Sequence, residues 1–265
     1  MCNKNVIYNS DYDLFLRQPM TIIIGTKGKD FLLIGSDSQA TNLENKTKKL
    51  EVRKVFKSKT HDKKISFIYA GAGEIFFQDI IIDIIKKIYK RDYSESNNIQ
   101  NTEQFRRICK EAMEIINDSY KKQRESEENK ILPFRLLIGV SIEKQQELFI
   151  IRPNGIVETI KDFQTIGTQS QIAEVFIIRL RSISNEFRIF DDNEKLLNSV
   201  LYVLYNLKQF DLYCGGKSQY MILNSDGSII ETDENFLMEF EENIPKFEKA
   251  YKSLWSGIIG YKTKS

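Results

Sequence analysis

Two apolar runs on either side of a polar turn constrain the fold of this chain more than any other stretch. Residues 22–24 and 31–34 are apolar, and residues 27–30, Lys-Gly-Lys-Asp, lie between them. Apolar runs around a glycine-containing turn predict a β-hairpin, here with buried strands rather than alternating ones. We expect Gly28 to provide positive φ in this turn.

The two ends of the predicted hairpin carry groups that can do chemistry. Thr21 stands at the start of the first strand, and Asp37 lies just past the end of the second. Antiparallel pairing brings those two ends together. A hydroxyl beside a carboxylate is compatible with catalysis, but, taken alone, this pair is more typical of a strand terminus followed by a turn.

Composition limits the kinds of binding partner and the cellular location that we expect for this chain. The 39 lysines and arginines nearly balance the 37 aspartates and glutamates, so charge gives no indication of a nucleic-acid partner. Three widely spaced cysteines indicate neither disulfides nor a metal site, which favours a cytoplasmic location. No apolar run is long enough to span a membrane. The one histidine, His61, lies in a polar stretch and is more typical of a surface residue than of a catalytic base.

The rest of the chain predicts one layered domain. Hydrophobic periodicity predicts helices that start at residues 74 and 101 and further helices at 172–181 and 193–207. Strands are predicted at 65–69, 134–141, 147–152, 156–160, 219–223 and 228–231, with a polar loop at 42–54. This order is typical of an α+β fold. We divide the chain into a leader-like segment (1–20), a domain (21–232) and a C-terminal extension (233–265) that we expect to form a helix.

A threonine can act as a nucleophile when it is the first residue of a chain. Its α-amine, with an ordinary pKa of about 7.7–8.0, can then accept the hydroxyl proton. A nearby buried lysine favours the neutral amine, and a carboxylate can hold that lysine in place. Thr21, Asp37 and Lys54 meet these requirements.

These segments resemble the proteasome β-subunit family. Its members begin Thr-(Thr/Ile)-(Ile/Val)-Val-Gly and continue to Ala-Asp-Ser-Arg-Ala-Thr, where this chain has Thr21-Ile-Ile-Ile-Gly and Asp37-Ser-Gln-Ala-Thr. The resemblance covers about residues 21–231. It implies that Thr21, Asp37 and Lys54 match the nucleophile, aspartate and lysine of active subunits.

Further motifs in the same order extend the resemblance. Tyr69-Ala-Gly71 is similar to the family's Ala-Gly turn, which implies that the N–H of Gly71 serves an oxyanion hole. Gly-Thr168-Gln-Ser is similar to the family's Gly-Ser-Gly-Ser loop, and Asp211-Leu-Tyr-Cys214-Gly-Gly to its Asp-x-x-Ser-Gly-Gly.

The same alignment assigns roles to these matched residues. Thr168, Asp211 and Cys214 take supporting positions beside the threonine, and Tyr69 and Ala40 line the substrate pocket. The thiol of Cys214 replaces a hydroxyl and is a weaker donor and acceptor.

The resemblance implies the four-layer αββα sandwich of the N-terminal-nucleophile hydrolases. It implies a threonine endopeptidase, made as a zymogen, that degrades unfolded polypeptides within a ring. Its partners are like or related β-type subunits and an α-type ring. No metal or other cofactor is implied, and neither nucleic acid nor a membrane is an expected partner.

Two alternatives stay open. Met20 stands where self-processing members usually have glycine, although initiation at Met20 and removal of that methionine give the same threonine terminus. A retained leader makes the chain a non-catalytic ring scaffold, in which Asp37 and Lys54 form a structural ion pair. The chain is also compatible with another N-terminal-nucleophile amidohydrolase, or with the simpler bacterial two-ring peptidase.

Overall fold

The computed structural model describes residues 21–41, 49–60, 64–73, 77–92, 99–124, 134–152, 154–187, 192–210 and 214–258. Its strands are β1 Ile22–Lys27, β2 Phe31–Ser36, β3 Gln39–Thr41, β4 Lys49–Glu51, β5 Val55–Lys59, β6 Ile65–Gly73, β7 Phe134–Ile142, β8 Gln145–Ile151, β9 Val157–Ile160, β10 Phe163–Gly167, β11 Gln219–Asn224 and β12 Ile229–Glu231. Its helices are α1 Phe77–Asp92, α2 Thr102–Arg124, α3 Ser170–Phe187, α4 Asn193–Phe210 and α5 Glu234–Ile258.

The predicted hairpin forms the centre of one sheet, with strand order β10-β1-β2-β11-β12. Strands β1 and β2 pair antiparallel, with Ile23 opposite Ser36. Both strands are buried almost throughout, which explains why their apolar residues run continuously instead of alternating. Because β1 and β2 are central, the residues that flank them lie well inside the molecule.

The glycine of the hairpin turn has a different role from the one predicted. Gly28 does not adopt positive φ. A Cβ at this position would instead lie 2.0 Å from Cε1 of Phe31, whose ring is buried. The turn therefore needs glycine because the Phe31 ring occupies the space of a side chain.

A second sheet, with strand order β5-β6-β7-β8-β9, is an antiparallel meander. Each of its strands pairs with the next one along the chain. A small ribbon of β3 and β4 stands apart from both large sheets. Lys54 lies between this ribbon and the first strand of the meander.

Three apolar clusters hold these elements together. One packs α1 and α2 against the meander, through residues such as Ile84, Phe105 and Phe149. A second packs α3, α4 and the start of α5 against the hairpin sheet. The third lies between the two sheets and includes Ile34 and Leu148. Apolar burial is the main stabilising contribution to folding, and here it joins helices and sheets on both faces of each sheet.

Most elements predicted from the sequence are confirmed. The hairpin, the meander, the four central helices, β11 with β12, and the C-terminal helix are all present, in a mixed α/β fold. The N-terminus of α2 carries its predicted cap, since Asn101 Oδ1 accepts a hydrogen bond from Gln104 N at 3.0 Å. Cys109 is a buried core residue of α2, and burial raises the pKa of its thiol.

The prediction of a loop over residues 42–54 is wrong for residues 49–51, which form β4. Two further strands are not predicted from the sequence. Residues 55–59 form β5. Residues 163–167 form β10, which pairs with β1. Residues 1–20, residues 74–76 and His61 lie outside the described residues. In the described part of the chain, no helix is long and apolar enough to cross a membrane.

Candidate active site

Thr21 lies at the N-terminal end of β1, on the edge where β10 also ends. Its carbonyl oxygen accepts a hydrogen bond from Thr168 N at 3.0 Å. Gly167, the last residue of β10, pairs with Ile22 and has φ of +111°. These contacts fix the backbone of Thr21 between two segments that are far apart in the sequence.

The close approach of β10 to Thr21 gives a stability prediction. A Cβ on Gly167 would lie 1.7 Å from the carbonyl oxygen of Thr21, and the positive φ disfavours any side chain. We expect Gly167→Ala to lower the free energy of unfolding by about 3 kcal/mol or more, measured by urea denaturation.

Gly155→Ala is the control for backbone strain. Gly155 also has positive φ, at +79°, but lies in the turn between β8 and β9. It should cost about 1 kcal/mol. Equal losses in the two variants would contradict the proposed clash at Thr21.

Asp37 is the centre of the site. It follows β2, is fully buried, and its backbone N donates to Ile22 O at 3.4 Å. Its Oδ1 accepts hydrogen bonds from Thr21 Oγ1 at 2.8 Å and from Ile22 N at 3.1 Å. Its Oδ2 accepts one from Gly215 N at 3.2 Å. Backbone and side-chain donors therefore hold the carboxylate at the end of the hairpin.

Lys54, which directly precedes β5, completes the contact chain. Its Nζ donates to Asp37 Oδ1 at 2.8 Å and to the carbonyl of Gln39 at 2.6 Å. Its backbone N donates to Gln219 Oε1, whose amide also donates to Val52 O. The ammonium and the hydroxyl of Thr21 thus share one carboxylate oxygen.

Burial sets the charge preference of Lys54. The residue is 3% exposed, and removal from water lowers the pKa of its ammonium below the ordinary value of 10.5. The charge and hydrogen bond of Asp37 oppose this decrease in pKa, and so does Cys214. The charged form of this buried lysine is therefore favoured by Asp37 and disfavoured by burial.

The supporting residues lie on two neighbouring segments. Thr168 Oγ1 is 3.8 Å from Cys214 Sγ, and Cys214 is buried. Asp211 lies outside the described residues. The structure thus brings Thr168 and Cys214 together beside the end of β1.

The residues predicted for substrate binding lie on β3 and β6. Gly71 lies within β6, which continues to Gly73, rather than in a turn. The last pair of β5 and β6 is Val55 with Ala70, so continuing that register places Gly71 opposite Lys54. Tyr69 is partly buried and stacks on Phe56 with ring centroids 5.4 Å apart. Ala40 lies in β3, where its backbone pairs with Leu50.

Sequence reasoning missed three groups that orient the site. The carbonyl of Gln39 accepts a hydrogen bond from Lys54, and the N–H of Gly215 donates to Asp37. Gln219 binds the backbone on both sides of Arg53. Two of these groups belong to the backbone, which every residue type carries, so residue identity gave no signal for them.

A comparison with protein families adds an independent finding. The family described as proteasome subunit matches residues 20–186. The chain belongs to the proteasome subunit family. This match includes Thr21, Asp37, Lys54 and Gly71, but ends before Cys214. A comparison with curated proteins finds no match.

Solved structures of similar fold include several described as Anbu. One from Yersinia bercovieri, described as an ancestral beta-subunit, is 15% identical with a TM-score of 0.64, covering 88% of this chain and 96% of that one. A Gly-1 mutant from Hyphomicrobium sp. strain MC1 is 13% identical with a TM-score of 0.63, covering 90% and 99%. A helical assembly of the Anbu complex from Pseudomonas aeruginosa is 16% identical with a TM-score of 0.58, covering 88% and 96%. At these identities the similarity concerns the fold alone.

Proposed function

We propose that this member of the proteasome subunit family is a threonine endopeptidase with Thr21 as its nucleophile. The observation that carries the proposal is the buried contact chain from the Thr21 hydroxyl through Asp37 to Lys54. An N-terminal threonine uses its own α-amine as the base, and a buried cation close to that amine favours its neutral form.

The proposed reaction begins once the peptide bond between Met20 and Thr21 has been broken. The free α-amine of Thr21 takes the proton of the hydroxyl as Oγ1 attacks the substrate carbonyl carbon. That proton then passes to the leaving amine as the peptide bond breaks, and an ester to Thr21 remains. Water hydrolyses the ester and restores the hydroxyl. The positive charge of Lys54 lowers the pKa of the α-amine of Thr21, so that the amine is neutral before attack and can accept the hydroxyl proton. Asp37 holds Lys54 in place.

The other predicted residues have positioning roles in this proposal. The N–H of Gly71 binds the oxyanion that forms during attack. Thr168, Asp211 and Cys214 support the amine side of Thr21. Tyr69 and Ala40 border the pocket for the substrate residue before the scissile bond. Extending the β5–β6 register by one residue beyond the pair of Val55 and Ala70 brings Gly71 to Lys54, which supports its assignment.

We also propose the architecture and assembly that go with this activity. Two sheets joined by an apolar cluster, with helices packed on each, fit the four-layer αββα sandwich of N-terminal-nucleophile hydrolases. The subunit works in the cytoplasm in a ring of like or related subunits on unfolded polypeptides, with an α-type ring as a further partner. The Anbu complex described as a helical assembly supports association of like subunits. It does not indicate a ring size.

One experiment tests both the processing and the nucleophile. The purified protein is treated with an irreversible electrophile directed at N-terminal threonine, and its intact mass and peptides are measured. We expect a mature chain that begins at Thr21 and one adduct on that residue. A mature protein that still carries Met20 before Thr21 would contradict the proposal.

The burial of Thr21 in the uncleaved chain fits both a zymogen and a second candidate function, a non-catalytic ring scaffold. Thr21 is only 1% exposed in the 265-residue chain, so its hydroxyl is inaccessible to a substrate carbonyl in this form. In a scaffold, Asp37 and Lys54 serve only as a buried ion pair. The intact mass decides between the two candidates, because a scaffold keeps its N-terminal segment and forms no adduct.

A further inference from the structure

The segment formed by residues 214–218, which we term the 214–218 segment, supports the site through the backbone of Gly215. The N–H of Gly215 donates to Asp37 Oδ2 at 3.2 Å. Its carbonyl accepts hydrogen bonds from Ser38 N at 3.2 Å and Gln39 N at 3.0 Å. The carbonyl of Gln39 in turn accepts a hydrogen bond from Lys54. Gly215 therefore helps to position both Asp37 and Lys54.

Packing alone does not fix the middle of the 214–218 segment. Its ends, Cys214 and Ser218, are buried, but Gly216 and Lys217 between them are exposed. The segment borders a cavity of about 330 Å³, whose lining also includes Glu51, Arg53 and Glu234. A segment with solvent on one side depends on hydrogen bonds for its position.

Lys208, near the end of α4, supplies hydrogen bonds to the other side of the segment. Its Nζ donates to Gly216 O at 3.1 Å, to Ser218 Oγ at 3.0 Å and to Glu241 Oε1 at 2.8 Å. An ammonium has three donors, and these contacts use all of them. The side chain of Lys208 is 8% exposed, whereas that of Glu241, on α5, is 36% exposed.

We propose that Lys208 is a positioning residue for the reaction at Thr21, and that Glu241 holds Lys208 in place for this role. The route runs from α5 through Lys208 to the 214–218 segment, and from Gly215 to Asp37. The C-terminal helix is thereby coupled to the geometry of the site. This inference rests on the proposed function, but its structural step can be measured without any activity.

The same segment offers a matched control. Lys217 Nζ lies 3.0 Å from Glu234 Oε2, so this pair also links the segment to α5. Both side chains are more than half exposed, at 59% and 68%. Exposed ion pairs contribute little to structure, so the removal of Lys217 should leave Gly215 in place.

The experiment compares Lys208→Met with Lys217→Met by hydrogen exchange of the peptide that spans residues 214–219. We expect exchange in this peptide to be about tenfold or more faster in Lys208→Met than in the unmodified protein, and unchanged in Lys217→Met. Glu241→Gln, which keeps an acceptor oxygen but no charge, should give a smaller increase. Glu241→Gln also tests the inference if Lys208→Met fails to fold. Equal exchange in the Lys208, Glu241 and Lys217 variants would overturn the inference.

Kinetics separate a positioning role from a general loss of folded protein. We expect Lys208→Met to lower kcat for peptide hydrolysis by about tenfold with KM within about twofold, while Lys217→Met changes neither. A fall in activity that only follows the loss of folded protein would contradict a positioning role. If the unmodified protein hydrolyses no peptide, the proposed function fails, and the exchange measurement still decides whether Lys208 holds the segment. If it is active and the exchange is unaltered, this inference alone fails.

Discussion

Replacing Thr21 with alanine is expected to reduce peptide hydrolysis by about 10⁴-fold or more, because the variant lacks the attacking oxygen. The fold should survive this change. Asp37 keeps its hydrogen bonds from Ile22, Lys54 and Gly215, so the lost hydroxyl should lower the free energy of unfolding by only about 1 kcal/mol. Hydrolysis of a fluorogenic peptide and urea denaturation measure the two quantities.

Thr21→Ser is the matched control for this prediction. Serine keeps the hydroxyl at the same position and removes only a methyl group, so activity should stay within about tenfold of the unmodified protein. The processed N-terminus of each variant is verified by mass, because an unprocessed chain is inactive for a different reason. An alanine variant that is processed, folded and still retains a tenth of the activity would contradict the role of Thr21.

The hairpin could be predicted from the sequence because its information is local. The apolar runs and the turn between them are adjacent in the chain, and antiparallel pairing then places Thr21 beside Asp37. Lys54 follows from the need of an N-terminal threonine for a nearby lysine, and the resemblance supports it, but no local pattern places it beside Asp37. The observed 2.8 Å contact between Lys54 and Asp37 depends on two sheets meeting.

The parts that could not be predicted depend on side-chain packing and on contacts between distant segments. Strand β10 pairs with β1, which lies some 140 residues earlier in the chain, and its short sequence Phe-Gln-Thr-Ile-Gly lacks clear alternation. The need for glycine at position 28 comes from the ring of Phe31 rather than from φ. The position of Gly215 depends on Asp37, which is 178 residues away.

Lys54→Met should give the second large effect, on both activity and stability. Activity should fall by about 10³-fold, because the amine of Thr21 loses the cation that favours its neutral form. The free energy of unfolding should fall by about 3–5 kcal/mol, because the charge of Asp37 remains buried without its partner. The same peptide assay and urea denaturation measure the two losses.

The double variant Lys54→Met/Asp37→Asn separates these two effects. It removes both charges, so most of the lost stability should return while activity stays low. If the double variant recovers activity, the lysine has no part in the reaction. If the single variant is as stable as the unmodified protein, the ion pair does not hold the site.

The pH dependence of stability provides an independent test of Lys54. Its pKa is lower in the folded protein than the ordinary value of 10.5. At a pH between the pKa of the folded protein and 10.5, Lys54 therefore takes up a proton when the chain unfolds. The contribution of Lys54 to the free energy of unfolding therefore increases as pH rises through that window. The difference in unfolding free energy between the unmodified protein and Lys54→Met, followed by urea denaturation at several alkaline pH values, should increase in the same direction. A difference that falls with rising pH would show that the charge and hydrogen bond of Asp37 raise the pKa of Lys54 more than burial lowers it, and a constant difference would show that the two effects cancel.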